Sequence, residues 1–286
     1  MPNATTLYRN RIALIFDFDS TLAPSTFHAL LREIGCDPDT FEAEHVAPLV
    51  DAGWDKTLAR YFGLIEMYRQ REDPVTQALM ARIGKSFPLF DHVEEMFDKV
   101  IGWARDVVPD VEVEFYMLTA GMAEIPEATP IAKHFKQVWA GACHFNEDDE
   151  LIFIKRLITH PDKIRYLTQL AKGFHLDDTL QPENVYREIA RDDYYIPYDQ
   201  MIYVGDGGSD MPAFSLMEDE GGLAIGVVVA DSVEKWRGYD DTHSERRVQN
   251  LAIADYSEGS ELMQSMKHAV QSIAQKVALR KLGQGE

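Results

Sequence analysis

The stretch from Arg11 to Thr21, RIALIFDFDST, constrains this chain more than any other. Ile12 to Phe16 form a short, unbroken apolar run, the pattern of a strand covered on both faces. The run stops at Asp17-Phe18-Asp19, followed by Ser20, Thr21 and Pro24. Residues two apart on extended backbone point the same way, so Asp17 and Asp19 start from one face. In an open α/β sheet the carboxyl ends of the strands face the ligand crevice. Two carboxylates placed there repel each other unless a cation or a shared proton relieves them. Taken alone, the pair is better read as two solvated acids closing a strand, and the rest of the chain has to decide.

After Thr21 the periodicity turns helical. Phe27, Leu30, Leu31 and Ile34 make an apolar stripe stopped by Gly35, and Asp37-Pro38 starts a second helix. Leu58, Phe62, Ile65 and Tyr68 lie on one helical face, Leu79 and Ile83 continue the theme, and Val93, Met96, Phe97, Val100 and Ile101 complete a last helix. The block holds no strand alternation, so a compact helical insertion is expected from about Pro24 to Val107.

Strand character returns at Val111 to Thr119, which ends in Thr119-Ala120-Gly121. A hydroxyl followed by small residues lets backbone N–H groups come close to an anion, although an ordinary turn fits equally well. Val138 to Phe145 and Leu151 to Ile154 read as a hairpin around the acidic turn Asn146–Glu150, expected to be a solvated loop. His160-Pro161-Asp162 opens a helix with Lys163 in its first turn. A cation is out of place there on dipole grounds unless it faces an anion. Residues from Gly173 to Gln200 read as a short helix and loop. Met201 to Val204 is a second buried strand, ending in Gly205-Asp206-Gly207-Gly208-Ser209-Asp210, with Pro212 near the start of the next helix. Two acids on a glycine-rich strand-to-helix turn make a candidate site for a hard cation. Leu223 to Val229 is a further strand, and Leu262, Met266, Val270, Ile273 and Val277 mark a closing helix.

The formal net charge of −20 opposes broad attraction to nucleic acid or anionic membrane. It leaves room for an anionic substrate beside a local cation. The two cysteines, Cys36 and Cys143, do not make a disulfide framework, and no signal peptide or membrane span is evident. A cytoplasmic location is expected, with neither nucleic acid nor membrane as a partner.

Strand alternating with helix implies a parallel sheet, which would bring Asp17, Asp19, Thr119, Lys163, Asp206 and Asp210 to one edge. Four carboxylates, a hydroxyl and an amine gathered there are a plausible site for magnesium plus phosphate. Asp17-Phe18-Asp19-Ser20-Thr21, Thr119, Lys163 and Gly205–Asp210 resemble, in order, the four motifs of the haloacid dehalogenase superfamily. The helical insertion and the DFDST form resemble its phosphoserine phosphatase-like branch.

The resemblance implies an α/β fold: a Rossmann-like parallel sheet in three layers (residues 1–23 and 108–286) with an inserted helical cap (24–107). It implies a magnesium-dependent phosphatase acting on a small phosphorylated metabolite. Asp17 would be the nucleophile that forms an aspartyl-phosphate, and Asp19 the acid and base. Thr119, Ala120, Gly121 and Lys163 would hold the phosphoryl group. Asp17, the Asp19 backbone carbonyl, Asp206 and Asp210 would hold Mg2+, Asp210 either directly or through water. Lys155 is the rival for the role of Lys163. Asp19 argues against a dehalogenase, which needs no acid for its halide.

Where phosphoserine phosphatases carry a Glu nine residues after the nucleophile, this chain has Thr26, which puts phosphoserine in doubt. Arg60, Tyr61 and Arg69 are the cap's candidate substrate contacts. A phosphotransferase using the same intermediate and a non-catalytic binding or regulatory protein on this fold are the alternatives. The substrate and the oligomeric state are not legible.

Overall fold

The structure is a computed structural model that describes residues 9–68, 74–176, 182–229 and 248–283. Its strands are β1 (Arg11–Phe16), β2 (Glu112–Met122), β3 (Phe135–Phe145), β4 (Leu151–Arg156), β5 (Met201–Gly205), β6 (Leu223–Val228) and β7 (Asn250–Ile253). They form one sheet in the order β4-β3-β2-β1-β5-β6-β7. Every pair is parallel except the β3–β4 hairpin.

The central strands are buried on both faces because both faces are covered. Ile12, Leu14 and Phe16 of β1 belong to one apolar cluster, and Ala13 and Ile15 to another. Helices α7 (Asp162–Lys172) and α8 (Met211–Glu220) cover the Ala13/Ile15 face. On the other face lie α6 (Val93–Arg105) and α9 (Glu261–Gly283), packed on each other, with α6 also against β2 and α9 against β1. The five residues expected to line the closing helix, Leu262, Met266, Val270, Ile273 and Val277, are all buried.

Between β1 and β2 the described residues are helical: α1 (Thr26–Glu33), α2 (Pro38–Phe41), a π-helical turn (Glu42–Val46), α3 (Ala47–Asp51), α4 (Lys56–Tyr68), α5 (Gln77–Lys85) and α6. Asp37 caps α2 by accepting from the Thr40 N–H at 2.9 Å, and Thr76 caps α5 through Leu79. The buried face of α4 is carried by Ala59, Tyr61, Leu64 and Ile65, while Leu58 and Phe62 of the expected stripe are exposed.

Four local features differ from the sequence reading. The strand expected to stop at Thr119 runs on to Met122, with a register break against β3 between Leu118 and Met122. The acidic turn of the hairpin is not merely solvated. Asp149 accepts from the Ala78 N–H at the start of α5, and the Leu151 N–H donates to the Val75 carbonyl. Gly173 to Gln200 holds short 3-10 turns among its described residues, where one short helix was expected, and β7 was not anticipated.

Candidate active site

Asp17 follows β1 directly, and its N–H donates to the Val204 carbonyl of β5 at 2.9 Å. The ends of β1 and β5 are thereby side by side, which places Asp17 next to the Gly205–Asp210 turn. The chain then reverses sharply: Ser20 takes a left-handed φ of 61°, and the N–H groups of Thr21, Leu22 and Ala23 all converge on the Phe18 carbonyl. Asp19 is fixed by the first residue of α1, accepting from the Thr26 N–H at 2.8 Å and the Thr26 hydroxyl at 3.0 Å.

On the other side of Asp17 sits Lys163, fully buried in the first turn of α7. Its Nζ lies 3.2 Å from Asp17 Oδ1 and 2.5 Å from Asp210 Oδ1, and donates to Ser209 Oγ at 3.1 Å. An ammonium this deep requires charge partners, and here it has two. Burial acts to lower its pKa, yet Asp17 and Asp210 together raise it, so Lys163 stays charged.

Asp210 anchors the arrangement. Its Oδ1 accepts from Lys163 and from the Tyr203 hydroxyl at 2.6 Å, and its Oδ2 accepts from the Gly207 N–H at 3.2 Å. Two glycines make room for it. A Cβ on Gly205 would stand 2.2 Å from Asp210 Oδ2, and Gly207 holds a φ of 90° that a side chain would strain.

Asp17, Asp206 and Asp210 each offer a carboxylate oxygen within 4.8 Å of the others. Buried Asp17 Oδ1 has the Lys163 ammonium, 3.2 Å away, as its charge partner. Crowding at this density needs a cation or protons. Burial lifts the carboxyl of Asp17 well above the ordinary range, with Lys163 pulling against it and the neighbouring acids adding to it. Burial followed by Asp210 lifts Asp206 to about 7, and burial lifts Asp19 to about 6 against the two Thr26 hydrogen bonds. Three carboxylates against one ammonium make an oxygen-only donor set with excess negative charge, which fits a hard divalent cation such as Mg2+.

Thr119 is buried at the register break in β2, and its hydroxyl accepts from the Gly121 N–H at 3.1 Å. A Cβ on Gly121 would lie 3.1 Å from Asp19 Oδ2, so this segment closes directly over the acid. The structure thus gathers Asp17, Lys163, Asp206 and Asp210, and it brings Gly121 up to Asp19. The Asp19 side chain stands outside the three-acid cluster and is committed to Thr26, so of that residue only the backbone carbonyl is free for the metal role. Lys155 lies on edge strand β4 rather than with Asp17, which leaves Lys163 as the amine of the site. Arg60 pairs with Glu42 and lies over the Phe27 ring, and Tyr61 is buried in α4. Arg69 lies outside the described residues.

Sequence reasoning missed Tyr203, Ser209 and the positive part played by Thr26. The Tyr203 signal was present, since its hydroxyl sits in an otherwise apolar strand and needs a buried acceptor.

No family model matches the chain. An uncharacterized protein of Borreliella burgdorferi is 23% identical over 282 residues, covering 88% of this chain and 94% of that protein. Among solved structures, a phospho-aspartyl intermediate analogue of phosphoserine phosphatase superposes with a TM-score of 0.54 at 11% identity, over 91% of this chain and 99% of that one. A substrate-bound phosphoserine phosphatase gives 0.54 at 12% identity over the same shares. A HAD-family hydrolase of Salmonella enterica serovar Typhi gives 0.54 at 14% identity, over 80% of this chain and 66% of that one. The fold is therefore the haloacid dehalogenase-type α/β fold, in the form seen in phosphoserine phosphatases.

Proposed function

We propose that this chain is a phosphatase that hydrolyses a small phosphorylated metabolite through an aspartyl-phosphate on Asp17. The observation that carries the reading is Lys163, fully buried between Asp17 and Asp210 with Asp206 beside them. A structural ion pair needs one acid for its amine, whereas here three acids crowd around a single ammonium and leave negative charge for a cation to relieve.

Asp17 attacks phosphorus, and Lys163 compensates the charge of the incoming phosphoryl group so that the nucleophile is not repelled. Asp19, held by Thr26 and lifted to about 6, is poised to give a proton to the leaving oxygen and later to take one from water. Thr119 and the adjoining backbone supply donors to the phosphoryl oxygens. In this structure the Gly121 N–H is engaged by the Thr119 hydroxyl, a bond that phosphate would exchange for its own. Asp17, the Asp19 carbonyl and Asp206 would hold Mg2+. Asp210, already accepting from three donors, would act through water and chiefly positions Lys163. The bound ion would neutralise the crowded carboxylates and the phosphoryl oxygens.

The helical insertion is proposed as the cap over this site, built from α1 to α5. Because α6 packs on α9 and β2, we place it with the core rather than with the cap expected over residues 24–107. Among the described residues no helix is long and apolar enough to cross a membrane. A cytoplasmic location is part of this proposal and accords with a chain that holds only two cysteines.

The test is phosphate release from a panel of phosphorylated metabolites, with magnesium and with chelator, beside Asp17→Asn. Magnesium-dependent release that disappears in the variant supports the reading. Silence across the panel, together with no beryllium fluoride trapped on Asp17, would sink it.

A further inference from the structure

A cavity of about 390 Å3 lies where the helical insertion meets the β3–β4 hairpin. None of the residues proposed for the phosphoryl chemistry lines it. Its volume falls in the roughly 300–1,000 Å3 range of small-molecule sites. The charges on its walls are sorted by element. Glu124 and Glu127 come from the segment after β2, Lys155 and Arg156 from edge strand β4, and Gln77 of α5 closes a further side.

Glu127, Lys155 and Arg156 stand exposed at the cavity and Glu124 is half-buried. Among the described residues none of these four makes an ion pair within 4.0 Å. Two of them are held in place by backbone. Glu124 Oε1 accepts from the Cys143 N–H at 2.8 Å, and Arg156 Nε donates to the Ala140 carbonyl at 2.8 Å. The second oxygen of Glu124 is buried, and the Cys143 thiol adds to the hold on this side chain, so Glu124 is fixed before any ligand arrives. The electrostatics agree with this layout: burial and then Glu124 raise the Glu127 carboxyl, and Arg156 pulls it back.

We propose that this cavity binds a small zwitterion, its ammonium on Glu124 and Glu127 and its carboxylate on Lys155 and Arg156. A simple anion would meet the two acids, and a simple amine the two bases, so only a ligand carrying both charges satisfies both walls. Anchoring before binding means that little ordering has to accompany association. The site is independent of the phosphatase reading.

The test is calorimetric titration of the full chain, without any phosphoester, with glycine, β-alanine, 4-aminobutyrate and 6-aminohexanoate. Acetate and methylammonium serve as one-charge controls. At least one zwitterion is expected to saturate at one per chain, at least tenfold more tightly than either control. Glu124→Gln and Lys155→Met should each weaken it at least tenfold, while Asp17→Asn leaves it unchanged. Lys155 is exposed, so its replacement does not threaten folding, and a matching thermal melt confirms that. The proposal is overturned if none of the four saturates, if acetate binds equally well, or if binding responds to Asp17→Asn but to neither cavity variant.

Discussion

Asp17 and Glu114 are both buried carboxylates in this sheet, and their surroundings are opposite. Glu114 accepts from Tyr116, Lys136 and Tyr195, and although burial works to raise its pKa, those donors bring it below the ordinary value. Asp17 has Lys163 beside it but is buried and crowded by Asp206 and Asp210, and it is pushed the other way. The contrast marks Glu114 as structural and Asp17 as a residue held for chemistry. Removing the crowded charge should therefore help the metal-free fold. Asp17→Asn is expected to raise metal-free stability by about 1 kcal/mol, the usual scale when a functional group is replaced, and to abolish phosphate release and thermal stabilisation by Mg2+. Melts with and without Mg2+ check this, and a variant that melts lower in both conditions would count against it. Thr26→Val tests the acid. It removes one hydrogen bond to a charged group, worth about 1.5–3 kcal/mol, so kcat should fall by roughly 10- to 100-fold with KM nearly unchanged. Equal losses in binding and turnover would instead assign Thr26 to the substrate.

At the scale of elements, the site depends on how closely β5 and the turn after it can approach Asp210. A Cβ at Gly205 meets Asp210 Oδ2 at 2.2 Å, so Gly205→Ala must displace the group that holds Lys163. We expect a loss of about 1–3 kcal/mol of stability, the range for overpacking a tight interior, together with loss of activity. Denaturant unfolding beside an activity assay checks it, and a fully active variant would refute the anchoring role of Asp210. Much of this arrangement was legible beforehand. Strand ends announce themselves where apolar runs give way to Asp17, Thr119 and Asp206, and a lysine in a first helical turn needs an anion. Other parts were not. The exposed Leu58 and Phe62 share the period of a buried face, and only tertiary packing shows that Tyr61 and Leu64 face inward instead. Strand β7 is four residues long, too short for alternation to register, and it exists because β6 offers it an edge. Thr26 looked like a missing acid, and only its spatial position shows what it does for Asp19.

Across the whole molecule the sheet has two unlike edges. The carboxyl ends of β1 and β5 carry crowded negative charge, whereas toward the amino end of β2 the Glu114 carboxylate is matched by Tyr116, Lys136 and Tyr195. There Arg11 lies over the Tyr195 ring at 4.1 Å, and His175 meets the rings of Tyr116, Trp139 and Tyr195 edge-on. These contacts tie the segment after α7 to the sheet. His175 is the weak point of that cluster. Burial lowers its pKa to about 4, from an ordinary value near 6.5, so the folded chain resists protonating it while the unfolded chain does not. Where the unfolded state binds more protons, stability rises with pH. The contribution of His175 is thus complete above pH 6.5, declines as pH falls through the window from about 6.5 to about 4, and is gone below it. Other acids titrate in the same range, so the comparison that isolates this group is the difference between wild type and His175→Phe, which keeps a ring in the cluster. The two stability curves should run parallel above pH 7 and converge or cross as pH drops toward 4, with the variant losing less. Curves that stay parallel down to pH 4 would mean that the imidazole protonates freely in the folded state, and that the cluster around Glu114 is open to water.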